Sequence, residues 1–269
     1  MNPDKFGVVI IQFLGKDDKE TGRFLYDTTL KYKQFQEEKL SRDFYDVHTK
    51  DEFLAVLDTL INRIKEENYF FVLHIESHGD RFDGLGNCRQ ELVTWEEFYS
   101  YTRKINILFD GALVLVMAMC HGNSSIRALT INERAPFHYM IGSFHEVPED
   151  YIERGFEVFY DKFFFEMDTC AALEVMGEEI GENPPLFWLT TNEYCFEQIS
   201  YPKRDSPIFW RLLCNEINEY YTEHPATMLT LSEIAKLNDD RLHEEFEKAQ
   251  SYKDYFLFKD KKEKVCRKK

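Results

Sequence analysis

A histidine and a cysteine stand at the ends of two apolar segments, and their side chains are of the types that carry out nucleophilic chemistry. Residues 69–79 read YFFVLHIESHG and residues 113–122 read LVLVMAMCHG, so His78 and Cys120 each follow a run suited to burial. An imidazole beside a thiol takes up the thiol proton, and the thiolate then attacks a carbonyl carbon. The imidazolium afterwards protonates the leaving amine. This chemistry requires that the two segment ends meet in the folded chain.

The residue after the histidine is a glycine, at a position where a side chain would obstruct a bound substrate. Glycine lets its backbone N–H approach a ligand closely. The N–H groups of Gly79 and Cys120 are therefore candidates for an oxyanion hole, which stabilises the negative charge that develops on a carbonyl oxygen. This chemistry needs no metal or cofactor, and we expect none.

The elements that must position these residues can be predicted from the apolar pattern. β-Branched and aromatic runs predict strands at 6–14, 44–49, 69–77, 112–119, 138–144 and 186–191. Thr49 with Glu52, and Thr94 with Glu97, have the spacing of capping boxes and predict two helix starts. Further helices are predicted at 24–38, 149–167 and 169–180, a short one after Gly122-Asn123, and a loop or hairpin at 79–90.

Strands that alternate with helices, mostly as continuous apolar runs, predict an α/β fold with a largely parallel sheet covered on both faces. In such a sheet, ligands bind beyond the carboxyl ends of the strands. His78 and Cys120 both follow predicted strand ends. We therefore expect them to face one crevice if their strands are neighbours.

The pattern changes after about Tyr201. The segments 206–224 and 232–249 read as two helices with no strand between them. We therefore predict an α/β domain over residues 1–201 and a helical C-terminal appendage over 202–269.

The composition limits the classes of partner. The chain has 269 residues, with 33 basic and 49 acidic side chains and a net charge of −16. Such an acidic chain repels phosphate backbones and anionic lipids, so we expect neither nucleic-acid nor membrane partners. No CxxC pair, signal peptide or apolar run of membrane-spanning length is present, which predicts a cytoplasmic protein with reduced thiols and no zinc site.

The order and spacing of the two segments resemble the caspase-like cysteine peptidases, a group that includes metacaspases, legumain and separase. The stretch HIESHGD…GLG…ELVTWEEFYSYTRKIN…LVLVMAMCHG looks most like prokaryotic caspase-like and CHAT peptidase domains, and the similarity covers roughly residues 6–200. The resemblance implies a three-layer sandwich around a mainly parallel six-stranded sheet. It also implies that Cys120 is the nucleophile, His78 the general base and acid, and Gly79 an oxyanion donor.

The substrate pocket does not follow from the resemblance. Ala118 stands two residues before the cysteine, where caspases have glutamine and metacaspases aspartate. No preference for an acidic or a basic residue at the cleavage site can therefore be transferred. Asp80, Asp83 and Glu146 are expected near the crevice, and we hypothesise that they favour a basic group on the substrate.

Three functions remain open. The first is a cysteine endopeptidase that cuts a protein substrate and, by resemblance, acts in prokaryotic antiviral defence or programmed cell death under a regulatory or sensor protein. The second is a non-catalytic caspase-like scaffold that recruits partners through its helices. The third is an α/β acyl transferase or amidase that uses the same dyad.

The other polar residues near the motifs are interpreted as structural. We predict that His74, in mid-strand, packs in the core with its nitrogens satisfied. His121 is not expected to be the base, because neighbours at a strand end point in different directions. Glu76 shares a strand face with His78, so it either orients the imidazole or is solvated. Two larger groups are predicted to be packing or loop residues. One is the aromatic stripe 156–164, and the other consists of Cys88, Cys170, Cys195 and Cys214.

Overall fold

The computed structural model describes residues 5–33, 40–87, 91–200, 214, 217, 218, 220–223 and 230–261. Its strands are β1 Lys5–Phe13, β2 Leu40–Asp46, β3 Tyr69–Gly79, β4 Gly84–Gly86, β5 Leu92–Thr94, β6 Val114–Ala118, β7 Tyr139–Gly142 and β8 Trp188–Thr191. Its helices are α1 Thr21–Leu25, α2 Lys31–Lys33, α3 Lys50–Glu67, α4 Trp95–Leu108, α5 Glu149–Glu166, α6 Thr169–Ile180, α7 Asn192–Ser200, α8 Leu231–Ser251 and α9 Lys253–Phe256. A π-helical turn, Tyr26–Leu30, joins α1 to α2, and a 3-10 helix, Gly122–Ala128, follows the cysteine.

The strands form a mixed, mostly parallel sheet, as the sequence predicts. They lie in the order β2–β1–β3–β6–β7–β8, and every neighbouring pair is parallel except β7 with β8. The end of β3 continues past the parallel ladder and pairs antiparallel with β4, which pairs with β5. Strands β3 and β6, which carry the histidine and the cysteine, are direct neighbours.

Helices cover both faces of this sheet, which explains why its central strands are apolar over most of their length. On one face, Val8, Ile10, Val72 and Val116 pack in one cluster with Phe156 and other buried residues of α5. On the other face, the ring of Phe13 lies 5.3 Å from that of Phe53 on α3. The aromatic stripe of α5 is confirmed as core, since Phe156, Phe159, Tyr160 and Phe163 are all buried.

Both predicted capping boxes are confirmed. The Thr49 hydroxyl accepts a hydrogen bond from the Glu52 N–H while the Glu52 carboxylate accepts one from the Thr49 N–H, and Thr94 with Glu97 repeats the arrangement. Each box satisfies backbone donors that the first helical turn would otherwise leave unpaired. The local sequence therefore determines where α3 and α4 begin.

The second strand was predicted in the wrong place. β2 spans Leu40–Asp46 rather than 44–49, and every one of its residues is at least partly exposed. Among the described strands it pairs with β1 alone, so it lies at the edge of the sheet. The polar residues Ser41, Arg42 and Asp43 are tolerated there, because pairing with β1 uses their backbone groups. Helix α7 was not predicted. Of the helix predicted at 24–38, residues 34–38 lie outside the described residues.

The chain divides into two compact units. The first comprises Met1–Leu129 and Ala135–Asn192, and the second comprises Thr130–Arg134 and Glu193–Lys269. The predicted helix at 232–249 is confirmed as α8, whereas 201–213 and much of the predicted helix 206–224 lie outside the described residues. The predicted domain boundary at residue 201 therefore stays a prediction. None of the helices in the described ranges has the length and apolarity to span a bilayer.

Within the second unit, a buried arginine joins the 130–134 segment to the C-terminal residues. The Arg134 guanidinium donates to both carboxylate oxygens of Asp260, at 2.5 and 2.7 Å, and to the carbonyl of Tyr255. It also lies over the rings of Tyr255 and Phe258, at 4.1 and 4.7 Å. Phe196 of α7 packs on Phe256 of α9 in the same unit.

Candidate active site

The histidine and cysteine segments meet at the carboxyl edge of the sheet. The parallel ladder between β3 and β6 pairs Glu76 with Ala118, so His78 and Cys120 each lie two residues beyond the last pair. A Cβ atom built on Gly79 would lie 2.0 Å from the Cys120 carbonyl oxygen. The two backbones are therefore in contact at this point, and the N–H groups of Gly79 and Cys120 belong to the same small region. Any other residue at position 79 would push the strand ends apart.

The imidazole of His78 is held by a carboxylate that the sequence did not single out. Its Nε2 lies 2.8 Å from Oδ2 of Asp18, in the loop between β1 and α1. The side chain of His78 is 53% exposed, whereas that of Asp18 is only 18% exposed. The ring is thus anchored on one nitrogen from the protein side while the rest of it faces solvent, which suits a group that must reach a substrate.

Asp18 is itself fixed by the backbone of its loop. Its Oδ2 accepts a hydrogen bond of 2.6 Å from the Gly15 N–H, and the Asp18 N–H donates to the Gly15 carbonyl. Burial by itself would raise the pKa of Asp18, but the hydrogen bonds from Gly15 and His78 and the charge of His78 outweigh it and hold this pKa below its usual value. Asp18 is therefore a carboxylate at neutral pH. The acidic run KDDKE just after β1 was the available signal for it.

The thiol of Cys120 is half-buried and receives a backbone donor. The N–H of Val147 points at Sγ from 3.3 Å, and Sγ lies 3.9 Å from the Val147 carbonyl. A donor directed at sulfur supports negative charge there. Among the contacts of the described residues, no hydrogen bond joins this thiol to the His78 ring. Catalytic hydrogen bonds of unliganded enzymes are often long and tighten only when substrate binds.

His121 is engaged away from the thiol, in agreement with its prediction as a structural residue. Its Nδ1–H donates to the Phe144 carbonyl at 2.9 Å, and its backbone N–H donates to the His145 carbonyl. The residue has φ 55°, in the left-handed region. It therefore turns the chain after Cys120 and attaches that turn to the segment after β7.

The remaining histidine and glutamate of β3 form a buried pair. His74 is confirmed as a core residue with both ring nitrogens bonded, one to Tyr160 and one to Glu76. Glu76 is neither solvated nor in contact with His78, since it is 1% exposed and its second carboxylate oxygen accepts from Thr21. Glu76 therefore binds His74 and helix α1, and it does not orient the His78 imidazole by direct contact.

The acidic residues suggested for substrate binding lie around the site with different surroundings. Asp80 accepts hydrogen bonds from the N–H groups of Phe82 and Asp83. These two hydrogen bonds are the main reason why the pKa of Asp80 is lowered, and the charge of His121 lowers this pKa further. Asp83 and Glu146 are exposed, and Glu146 directly precedes Val147. Their role toward a basic substrate group stays a prediction.

The same loop also carries a cationic and aromatic feature that the sequence analysis did not identify. Phe82 is 71% exposed, and the guanidinium groups of Arg81 and Arg127 lie 5.8 and 5.2 Å from the centre of its ring. Arg127 belongs to the 3-10 helix that follows Cys120. The rim of the site therefore presents both charges, with an exposed aromatic ring between two cations.

The thiols differ in ways that an experiment can use. Cys120 is half-buried, Cys170 and Cys214 are exposed, and Cys195 is buried, with its pKa raised to about 12 by that burial. All four are free thiols, and Cys88 lies outside the described residues. Within the described ranges, no three or more His, Cys, Asp or Glu side chains are grouped so that they would hold a metal ion.

No protein-family model matches the chain, and its comparison with curated proteins gives no match. What the site does is therefore inferred from its own geometry and from the resemblance of its two motifs.

Proposed function

We propose that this chain is a caspase-like cysteine endopeptidase in which Cys120 is the nucleophile and His78 the general base and acid. The observation that carries the proposal is the meeting of the two strand ends, with Gly79 against the Cys120 backbone. The path β2–β1–β3–β6–β7–β8 has six strands with helices on both faces, which supports a caspase-like three-layer sandwich.

In the proposed reaction, Asp18 binds Nε2 of His78, so Nδ1 is the nitrogen left to accept the thiol proton. Nδ1 takes the proton of Cys120, and the thiolate adds to the carbonyl carbon of the peptide bond. The negative oxygen is stabilised by the N–H groups of Gly79 and Cys120. The C–N bond then breaks as the imidazolium gives its proton to the leaving amine. Water, deprotonated by the imidazole, displaces the acyl group from sulfur and restores the thiol.

Asp18 supports both halves of this cycle. The carboxylate keeps the ring in one orientation, and its charge stabilises the imidazolium that forms when the thiol loses its proton. Because Asp18 is mostly covered and is held by the Gly15 N–H, it remains in place when the ring changes charge. The site thereby combines a nucleophile, a base and a group that orients the base.

Selective alkylation tests this proposal. We expect iodoacetamide to label Cys120 faster than the more exposed Cys170 when each site is quantified by mass spectrometry. His78→Ala should lower the rate at Cys120 by about tenfold or more and leave Cys170 unchanged, because general-base activation is worth roughly 10²–10⁴-fold. His145→Ala, which removes an exposed histidine of the loop before Val147, is the matched control.

The alternative is a non-catalytic scaffold of the same fold. It is favoured by one feature, namely that the Cys120 sulfur is bonded to Val147 and not to His78. The scaffold would be supported, and the peptidase contradicted, if Cys120 and Cys170 were labelled at rates that reflect only their exposure and if His78→Ala had no effect.

The resemblance alone suggests the biological setting, which is an effector of prokaryotic defence or programmed cell death that cuts a protein substrate under a regulatory or sensor protein. Comparing the new protein N-termini in cells that express the wild type or Cys120→Ala would identify the cleavage sites. Release of a small amine without new peptide termini would instead indicate an amidase or acyl transferase.

A further inference from the structure

Four buried side chains form a continuous hydrogen-bonded chain behind the candidate site. The Tyr160 hydroxyl lies 2.9 Å from Nδ1 of His74, Nε2 of His74 lies 2.8 Å from Glu76 Oε1, and the Thr21 hydroxyl lies 2.6 Å from Glu76 Oε2. Their exposed fractions are 0%, 0%, 1% and 3% for Tyr160, His74, Glu76 and Thr21. The chain runs from α5 through β3 to the first residue of α1.

The direction of each hydrogen bond follows from the groups involved. A carboxylate only accepts, so the Thr21 O–H and the His74 Nε2–H both donate to Glu76. A neutral His74 then has Nδ1 as an acceptor, and the Tyr160 O–H donates to it. Burial, and then the charge of Glu76, raise the pKa of Tyr160 well above its usual value, so the hydroxyl keeps its proton. In this arrangement all four side chains are hydrogen-bonded around the buried Glu76 carboxylate.

The fold alone gives little reason to enclose that charge. A buried charge is costly to remove from water, and apolar side chains of similar volume often stabilise a core as well or better. What the charge does provide is a directional contact with the start of α1. The packing there is tight as well, because a Cβ on Gly22 would lie 2.8 Å from Glu76 Cγ.

This contact lies next to the loop that carries Asp18. The Thr21 N–H donates to the Lys19 carbonyl at 2.8 Å, so residues 19–21 form a tight turn that directly follows Asp18. Gln12, the cross-strand neighbour of Glu76 on β1, accepts from the Arg23 N–H at 3.0 Å and also holds this helix start. The position of Asp18 therefore depends on how the beginning of α1 is held.

We propose that Glu76 is a positioning residue for His78, which acts by holding Thr21 and, through the turn at residues 18–21, the carboxylate of Asp18. This inference rests on the proposed function, because it assigns Glu76 to the orientation of the catalytic base. The two acidic residues then have different roles toward His78. Asp18 contacts the imidazole, and Glu76 determines the position of Asp18.

The test is the pH profile of Cys120 alkylation by iodoacetamide in the full-length chain. Thr21→Val removes the hydroxyl and keeps the shape, and we expect the rate at pH 7 to fall about 3–10-fold, as the loss of one hydrogen bond predicts. The acid limb of the profile should move to higher pH, as it should in Asp18→Asn. Thr21→Ser restores the hydroxyl and should restore the profile. Thr29→Val, at a buried threonine of the same helical segment, is the matched control.

A double-mutant cycle distinguishes positioning from a general loss of stability. If Thr21 acts through Asp18, then Thr21→Val combined with Asp18→Asn has the profile of Asp18→Asn alone. Independent, additive effects, or a lower Tm with an unchanged profile, would overturn the inference while leaving the peptidase intact. Glu76→Gln is a second variant with the same expected direction. A wild type in which Cys120 reacts no faster than Cys170 would instead overturn the proposed function, and this inference with it.

Discussion

Two opposing influences act on the Asp18 carboxyl, and their balance determines the charge beside His78. Partial burial raises its pKa, while the Gly15 N–H and the His78 ring lower it, and the net result is a pKa below the ordinary 3.8. A lowered pKa means that the ionised form is the one stabilised in the folded state. The Asp18–His78 interaction is therefore fully present above about pH 4 and is lost as the pH falls through the lowered pKa.

Asp18→Asn tests this at the residue level. The amide keeps the size of the side chain but removes the charge that stabilises the imidazolium, and a hydrogen bond to a charged group is worth about 1.5–3 kcal/mol. We expect Cys120 to be alkylated about tenfold more slowly at pH 7 and the acid limb of its pH profile to move to higher pH, because the imidazolium that takes up the thiol proton has lost its carboxylate partner. The difference should narrow at alkaline pH, where the thiol ionises without help from His78. Asp17→Asn, at the exposed neighbour, is the control. Equal rates in wild type and Asp18→Asn would contradict the role of this carboxylate.

The residues of the site were predictable to different degrees. His78, Gly79 and Cys120 could be found because a reactive side chain after an apolar run is visible in the sequence. Asp18 could not be chosen from KDDKE, because the path of the loop decides which carboxylate reaches the ring. Glu76 and His78 share a face by the two-residue period of a strand, but β3 leaves its parallel neighbours after Ser77, so the period no longer relates them.

Among the elements, the contact between the ends of β3 and β6 is the most demanding. Gly79→Ala would place a methyl group 2.0 Å from a backbone oxygen, which cannot move as a side chain end can. We expect a loss of about 1–3 kcal/mol in the free energy of unfolding, the usual cost of overpacking, measured by urea denaturation. Cys120 alkylation should also change, since the strand ends must separate.

The matched control is a glycine with free space around it. A Cβ on Gly177, inside α6, would meet no atom within 4 Å. Gly177→Ala should therefore stabilise the protein by roughly 0.5–1 kcal/mol, the helix preference of alanine over glycine. A neutral Gly79→Ala would show that the strand ends are not in close contact.

The sheet also shows which elements a sequence pattern can locate. Central strands lie under helices on both faces, so they appear as apolar runs, and their positions were predicted to within a few residues. The edge strand β2 has partly exposed residues along its whole length and no such run. The capping boxes of α3 and α4 were visible because they depend on two residues three apart, whereas α7 follows β8 directly, with no loop between them.

At the level of the whole molecule, the second unit includes a five-residue segment from the middle of the sequence. Arg134 connects this segment to Asp260, and its own side chain is only 9% exposed. Hydrogen bonding to Asp260 raises the pKa of Arg134 against the effect of burial, so the pair is charged at every physiological pH. A pattern of local sequence cannot reveal such a pairing, because its partners are 126 residues apart.

Arg134→Met tests whether this pair stabilises the second unit. It keeps the apolar stem and removes the charge, and we expect a loss of about 1–3 kcal/mol, at the lower end for a buried pair because Asp260 is one-third exposed. Hydrogen exchange should accelerate in α9 and the end of α8. Lys259→Met, which breaks an exposed ion pair with Glu193, is the control and should change nothing measurable. Unchanged exchange in both variants would show that the pair is dispensable.

The β4–β5 hairpin leaves β3 at the candidate site and pairs with none of the other strands of the main sheet. The connection between β4 and β5 can therefore change in length during evolution, or by engineering, without altering the β3–β6 ladder that spaces His78 and Cys120. Under the proposed peptidase function, substrate choice and bond cleavage would then be separable traits, because selection could lengthen this connection to recognise new targets while Cys120 and His78 keep their geometry.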